Sequence, residues 1–381
     1  MSKICIFASH YFPYLGGIER YTYNLSKALI RLGDEVMIVT CNDVKEKNYE
    51  IMDGIEVLRL PCYNLMDGRY PVTKFSREFF ALYKKLSDRD FDLVLINARF
   101  YPHTLLGGWF AKRNNIKGII LDHGTSHMTI GKKMPDTLFA FVEHVITTGD
   151  KLLCKDYYGV SRACCKWLGH FHIKAKGVLY NAVDAVSIQN IAEEPKRNFR
   201  KEFDVSQDTA VIVYTGRLIK EKGIFKLIEA VQELRKKWKI CLFIAGDGEE
   251  MEKVQTAADD VIIPLGRLDF EEIASLLGQA DVYCLPTDYP EGFPTAVLEA
   301  AAAGCYVITT DRGGSRELIQ DESYGTILKN TEVQSIQEAI DASLQYPDKR
   351  IQAAEKAKKR VNIMFTWDKT AQKVHGLARE R

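Results

Sequence analysis

Apolar positions in this chain follow two recurring patterns. Short runs rich in β-branched and other apolar residues lie at residues 3–8, 35–40, 55–60, 91–97, 117–122, 157–161 and 177–180. They are short and bounded by polar residues, which predicts strands. Amphipathic stretches of helical length separate several of them. In the clearest, residues 18–32, Ile18, Tyr21, Leu25, Ala28, Leu29 and Leu32 share one face and Gly33 marks the stop. The alternation restarts in the second half. Strands are predicted at 210–214, 240–245, 261–263, 281–285 and 306–309, and helices at 223–236, 270–277, 294–303 and 333–344. Two further helices, at 348–361 and 366–379, end the chain. Strands alternating with helices predict an α/β fold whose parallel sheets are covered on both faces.

A charged stretch containing Pro195, residues 193–208, separates the halves, and the junction is placed just before it, at 181–185. The length of 381 residues suits two domains. The expectation is two doubly wound, Rossmann-like domains facing across a cleft, 1–184 and 185–363, followed by a terminal segment 364–381. In such sheets ligands sit beyond the carboxyl ends of the strands.

Composition narrows the function classes. Hydrophobic residues make up 46% and charged residues 27%, with a formal net charge of +1. That balance suits a globular protein and gives no field that would favour nucleic acid as a partner. No apolar run approaches the length that crosses a bilayer, and the run at 4–8 is too brief for a signal-peptide core. A cytoplasmic protein is expected. Nine cysteines without a CxxC pair read as reduced, mostly buried thiols. Lys151, Lys155, Arg162, Lys166, Lys174 and Lys176, interleaved with Trp167, Leu168 and Phe171, leave two alternatives: a plain basic face, or a peripheral contact with the cytoplasmic face of the membrane.

The strongest candidate chemistry follows the strand at 281–285. Glu291-Gly292-Phe293-Pro294-Thr295 leads into an alanine-rich helix carrying Glu299, which Gly304 stops. Gly292 permits close backbone approach, and Pro294 suits the first helical position. The helix start, with outward N–H groups and partial positive charge, is a ready site for a diphosphate. One carboxylate is placed to reach a sugar and the other a ribose diol. A second loop, Gly216-Arg217-Leu-Ile-Lys220-Glu-Lys222-Gly223, follows the strand at 210–214 and supplies countercharge for phosphate. Gly246-Asp247-Gly248 follows a third strand, but Met251 breaks the dinucleotide fingerprint, which disfavours a Rossmann dehydrogenase. Arg267 and Leu268 form another turn after a strand, placed to meet a base.

In the first half, Gly16 and Gly17 open the helix at 18–32, either as a structural turn or to permit backbone approach to an anion. His123 follows the strand at 117–122, where two readings stand open: a structural histidine, or one that meets a sugar hydroxyl or the reacting centre. His127 has no acidic or cysteine partner at metal spacing, and Asp88-Arg-Asp90-Phe-Asp92 reads as a helix-to-strand connection, so no metal site is assigned.

Taken together, Gly16-Gly17-Ile-Glu19-Arg20, Asn181-Ala-Val-Asp184, Gly216-Arg217 with Lys222-Gly223, Ala245-Gly246-Asp247-Gly248 and the Glu291…Glu299 pair resemble retaining glycosyltransferases of the GT-B fold, family four. The resemblance covers nearly the whole chain. Ala182 departs from the glycine usual in that turn. Phe365-Thr-Trp367 is similar to the family's terminal helix, which crosses back to the amino-terminal domain. The likeness implies an amino-terminal domain for the acceptor and a carboxyl-terminal domain for a nucleoside-diphosphate-sugar, with a UDP-sugar first and a GDP-sugar second. The acceptor would be a saccharide or lipid-linked hydroxyl in cell-surface polysaccharide or glycolipid synthesis. It also implies roles. Arg217 and Lys222 neutralise diphosphate, Glu299 binds ribose, and Glu291 binds the donor sugar. Backbone N–H groups of Phe293, Thr295 and Gly17 cradle phosphate and sugar, and His123 meets the sugar near the reacting carbon. No cofactor or metal is then required, because a leaving phosphate oxygen takes the acceptor proton. The alternatives are a sugar-nucleotide epimerase of similar fold and a non-catalytic nucleotide-sugar-binding subunit.

Overall fold

The computed structural model of the chain describes residues 1–14, 16–66, 68–128 and 133–380. The chain folds as two units: residues 1–181 with 367–381, and residues 182–366.

The first unit runs β1 (Lys3–Phe7), α1 (Gly17–Arg31), β2 (Glu35–Cys41), β3 (Tyr49–Met52), β4 (Ile55–Leu60), β5 (Cys62–Leu65), β6 (Tyr70–Thr73), α2 (Arg77–Ser87), β7 (Leu93–Asn97), α3 (Pro102–Arg113), β8 (Lys117–Asp122), α4 (Lys133–Leu153), β9 (Asp156–Gly159), α5 (Arg162–Leu168) and β10 (Gly177–Val178). The second unit runs α6 (Ala185–Glu193), α7 (Phe199–Glu202), β11 (Ala210–Thr215), α8 (Ile224–Leu234), β12 (Ile240–Ala245), α9 (Met251–Thr256), β13 (Ile262–Gly266), α10 (Phe270–Gly278), β14 (Val282–Leu285), α11 (Thr295–Ala303), β15 (Tyr306–Thr310), α12 (Ser315–Leu318), β16 (Thr326–Leu328), α13 (Val333–Gln345) and α14 (Pro347–Met364). The last helix, α15 (Trp367–Arg379), rejoins the first unit.

Both sheets are doubly wound. The first has the order β10-β9-β8-β7-β1-β2-β4-β3, and the second β13-β12-β11-β14-β15-β16. The central strands are buried along nearly their whole length, as in Ile4–Phe7, Leu93–Asn97 and Ile240–Ala245, because helices cover both sheet faces. That is why they read as continuous apolar runs. In each sheet the winding reverses beside its first strand, between β1 and β7 and between β11 and β14. A crevice at the carboxyl ends of such strands is where ligands of these folds bind.

The structure departs from the sequence expectations in several places. Edge strand β3 pairs antiparallel with β4, and β5 and β6 form a separate hairpin. These are short, partly exposed elements with little apolar periodicity to announce them. Pro294 is the residue before α11, with extended backbone (ψ 113°), rather than its first helical residue. The helix predicted from 223 starts at Ile224, after a 3₁₀ turn over Lys220–Lys222. In α1, Leu32 caps the helix and is exposed, while Glu19, Thr22 and Ser26 are buried beside Tyr21, Leu25, Ala28 and Leu29. Leu168 and Phe171, interleaved in the stretch that left a plain basic face or a membrane contact open, are core residues in one cluster with Phe110 and Tyr157. None of the nine cysteines is in a disulfide.

Helix α15 packs on α1. Trp367 meets Tyr21 edge-on at 5.2 Å, the Thr370 hydroxyl donates to Tyr180 O (2.9 Å), and His375 Nδ1 lies 2.8 Å from Asp34. The chain crosses between the units at 181–182 and again at 366–367. Those crossings run side by side, since Val183 bridges Thr366 and its N–H donates to Phe365 O (3.0 Å).

Candidate active site

The second unit gathers five loops at the carboxyl ends of its strands. Three of them interlock through backbone. The Gly216 N–H donates to Ala245 O (3.0 Å), the Gly246 N–H to Gly266 O (2.8 Å), and the Leu218 N–H to Asp247 O (2.8 Å). This packing demands glycine. Gly246 has φ +154°, and a Cβ there would lie 1.9 Å from Gly216 O. Gly248 is similarly constrained against Leu218. The glycines thus join the loops after β11, β12 and β13 into one floor. Arg267 is exposed and Leu268 half-buried at the edge of that floor, just after β13.

The other two loops follow β14 and β15. The turn at Lys220–Lys222 is stitched to the β14 loop, because Glu221 O accepts from the N–H groups of Asp288 (2.7 Å) and Tyr289 (3.1 Å). Gly223, at φ +73°, packs so closely on Pro286 that a Cβ would lie 2.2 Å from its carbonyl oxygen. Gly313 and Gly314, after β15, press on the backbone of Glu291 and Gly292 and on the Phe293 ring. Phe293 is itself anchored edge-on against Phe365 (5.1 Å). The position of the Glu291–Pro294 loop is therefore fixed from both sides.

These constraints bring the charged candidates together. Lys222 Nζ lies 2.8 Å from Glu291 Oε1, with both side chains largely shielded from solvent. The Arg217 guanidinium stands over the Tyr289 ring at 5.2 Å, with Lys222 Nζ 5.9 Å from the same ring. Burial lifts the Tyr214 phenol above its ordinary range; Glu291 adds to the rise and Arg217 opposes it. Burial also lifts Tyr283, beside Glu299 and Glu291. Arg217, Lys222, Glu291 and Glu299 therefore share one electrostatic neighbourhood at the β11–β14 switch point, with the start of α11. Pro294 offers α11 no side-chain cap, and the start of a helix carries partial positive charge.

Sequence reasoning missed two participants. Tyr289 stands two residues before Glu291, but its place beneath Arg217 and Lys222 depends on the Glu221 hydrogen bonds. Gly313-Gly314 is a glycine pair directly after the β15 run, and such a pair is a legible signal of close backbone approach.

In the first unit, Gly16 and Gly17 do precede and open α1, but they differ. A Cβ on Gly16 would lie 2.4 Å from Glu19 Oε2, so the Glu19 carboxylate already occupies that approach, whereas Gly17 has open space. Burial pushes the Glu19 carboxyl above the usual range. Beside it, after β1, His10 pairs with Asp43 (2.5 Å) and stacks on Tyr14.

His123 lies after β8, and its surroundings define its protonation. Thr22 Oγ1 donates to Ile18 O (2.8 Å) and so accepts from Asn97 Nδ2 (2.8 Å). Asn97 thus turns its Oδ1 to His123, whose Nε2–H donates to it (3.1 Å). Nδ1 is left as the acceptor nitrogen. Burial pushes the ring's pKa down to about 3, so it is neutral at physiological pH. The unfolded chain takes up this proton below about pH 6.5, while the folded chain refuses it until about 3. The stability tied to the neutral ring is complete above about pH 6.5 and lost as pH falls toward 3. His123→Asn is therefore expected to lose less stability than the parent chain between pH 7 and 4, as read from urea midpoints. Equal losses would contradict the burial of a neutral ring.

Asp88, Asp90 and Asp92 lie between α2 and β7, and Asp92 Oδ2 accepts from the Lys3 N–H (2.7 Å).

Comparison with known proteins decides the family. The model of Glycosyltransferase Family 4 matches residues 15–186, and that of Glycosyl transferases group 1 matches 195–360. A putative teichuronic acid biosynthesis glycosyltransferase, TuaC of Bacillus subtilis, is 30% identical over 294 residues, 77% of this chain and 72% of its own length. The chain belongs to glycosyltransferase family 4. It is a glycosyltransferase, and its fold is GT-B. The phosphatidylinositol N-acetylglucosaminyltransferase gpi3 subunit of Schizosaccharomyces pombe is 25% identical to this family 4 chain, over 95% of it and 77% of the yeast protein. Among solved structures, Anabaena Alr3699/HepE in complex with UDP-glucose matches 99% of each chain with a TM-score of 0.73 at 16% identity.

Proposed function

We propose that this glycosyltransferase moves a sugar, with retained anomeric configuration, from a nucleoside-diphosphate-sugar to a hydroxyl of a saccharide or lipid-linked acceptor. UDP is the first choice of nucleotide and GDP the second, and the product is a cell-surface polysaccharide or glycolipid. The observation that carries the donor half is the Lys222–Glu291 pair at the switch point of the second unit. An arriving diphosphate competes with Glu291 for Lys222. The released carboxylate turns to the sugar hydroxyls, while Arg217, Lys222 and the start of α11 hold the phosphates. Glu299, more than one turn into α11, accepts from the ribose diol. Leaving-group charge builds on the diphosphate in the transition state, where fixed cations stabilise it most. Its oxygen takes the acceptor's proton on the face it leaves, so configuration is retained.

The first unit takes the acceptor in this reading, and neutral His123 offers Nδ1 to a sugar hydroxyl. The relatives support the chemistry. One is named for teichuronic acid biosynthesis, one for N-acetylglucosaminyl transfer to phosphatidylinositol, and one was solved with UDP-glucose. Among the described residues no helix is long and apolar enough to cross a membrane. Helix α4, however, exposes Leu138, Phe141, Val145 and Leu152 along one face, beside Lys151 and Lys155. That face supports peripheral contact with a lipid surface.

The test is incubation with a panel of nucleotide-sugars and saccharide or vesicle-borne lipid acceptors, with the product anomer read by NMR. The expected product keeps the donor's configuration, and anionic vesicles retain the chain but not its Phe141→Ser variant. An inverted product, or sugar isomerisation without acceptor, defeats the reaction assignment. Equal vesicle retention of both proteins defeats the membrane contact.

A further inference from the structure

Outside the proposed donor site, the first unit holds a group of imidazoles that no part of the transfer reaction uses. His127 follows the β8 loop, His144 is on α4, and His170 is in the 3₁₀ turn Gly169–Phe171. One ring nitrogen from each lies within 4.8 Å of the others. His144 Nε2 and His170 Nε2 are 3.3 Å apart. Two nitrogens bound to one tetrahedral zinc at about 2.0–2.1 Å are themselves separated by roughly 3.3 Å, so this edge already has the right length.

The surroundings are built to hold the rings. The His127 Nδ1–H donates to Glu143 Oε2 (2.7 Å), which fixes the tautomer and leaves Nε2 with the lone pair a metal needs. Glu143 is buried, and its other oxygen pairs with Arg99 Nη2 (2.6 Å). Arg99 is fixed in turn by Asp122 (3.0 Å), Thr147 (3.1 Å) and the Phe171 ring beneath it (3.7 Å). His170 stacks on Trp167, nearly parallel, at 4.8 Å. A carboxylate oriented by a buried arginine, itself orienting an imidazole, is the support that metal-bound histidines use. Three unlinked surface histidines would have no need of it.

We propose that His127, His144 and His170 bind a borderline divalent transition-metal ion, with zinc as the assigned metal and a water or exchangeable ligand in the fourth position. Three imidazoles favour zinc over the hard ions magnesium and calcium, which take oxygen ligands. The bound ion ties the segment after His123 to α4 and to the Gly169–Phe171 turn. It is thus a clasp on the first unit, separate from donor chemistry.

The probe is Co2+, added to the untagged full chain after chelator treatment. The expected result is the visible absorption of a four-coordinate cobalt site with nitrogen and oxygen ligands, without the near-ultraviolet sulfur-to-cobalt band a cysteine site would give. One equivalent of Zn2+ should displace it, and Zn2+ but not Mg2+ should raise the melting temperature. His144 and His170 are exposed, so H144Q/H170Q should fold, as checked by circular dichroism, and should bind Zn2+ about 100-fold more weakly or worse. A crystal grown with Zn2+ should place the anomalous peak among the three rings. Only a six-coordinate cobalt spectrum, an undiminished Zn2+ shift in H144Q/H170Q, or an anomalous peak elsewhere would each overturn the site.

Discussion

Lys222→Ala is expected to lower kcat/KM about a thousandfold, in the range seen when one preorganised stabiliser of transition-state charge is removed. The cause is double. The variant loses the cation that meets the diphosphate. It also strips the shielded Glu291 carboxylate of the ammonium that stands 2.8 Å away in the parent chain, so more of its negative charge faces the incoming phosphates. The second effect distinguishes this account from simple loss of a basic loop. Removing Glu291 as well should restore part of the nucleoside-diphosphate affinity that Lys222→Ala destroys. Turnover should stay low, because the sugar loses its hydrogen-bond partner. A double-mutant cycle reads this directly: for nucleotide binding the two losses should be far from additive. If the double variant binds nucleoside diphosphate more weakly than Lys222→Ala, by the sum of the single losses, the pair does not act as a switch.

Gly246→Ala carries the other large effect. Its backbone sits at φ +154°, and the added methyl would lie 1.9 Å from Gly216 O. Both atoms belong to rigid backbone, so the loops after β11 and β12 must part. Strain of this kind costs about 3 kcal/mol. The cost should appear as an early melting transition of the second unit. Donor binding should fall too, because Gly216 and Arg217 move with the floor. Gly17→Ala serves as the contrast, since open space surrounds that position and its stability should barely change. A Gly246→Ala chain with parental melting and donor binding would mean that the loops are looser than this geometry allows.

How far the sequence reached can be judged from these same residues. Doubly wound α/β architecture was legible because both sheet faces are buried, so strands such as Ile240–Ala245 announce themselves as unbroken apolar runs. Edge strand β3 and the β5–β6 hairpin carry no such runs. The β14-to-α11 loop was legible from Pro294 and the two glutamates, but the Pro294 backbone conformation was not. It is set by the Phe293 ring wedged between Gly314 and Phe365. The Lys222–Glu291 pair was out of reach for a similar reason. Both residues stand in local motifs, yet their contact depends on β11 and β14 being neighbours across the switch point. The three histidines illustrate the same limit. Their spacing matches no metal motif, and Glu143, the acidic partner that His127 lacked in sequence, is supplied by α4.

Calorimetric titration of the full chain with a nucleoside monophosphate, the matching diphosphate and the diphosphate-sugar, repeated on Lys222→Ala, tests the central claim most directly. The account expects the diphosphate to bind far more tightly than the monophosphate in the parent chain, and that advantage to collapse in Lys222→Ala. Equal affinity for monophosphate and diphosphate, or a diphosphate advantage that survives in Lys222→Ala, would contradict a donor site built around Lys222 and Glu291.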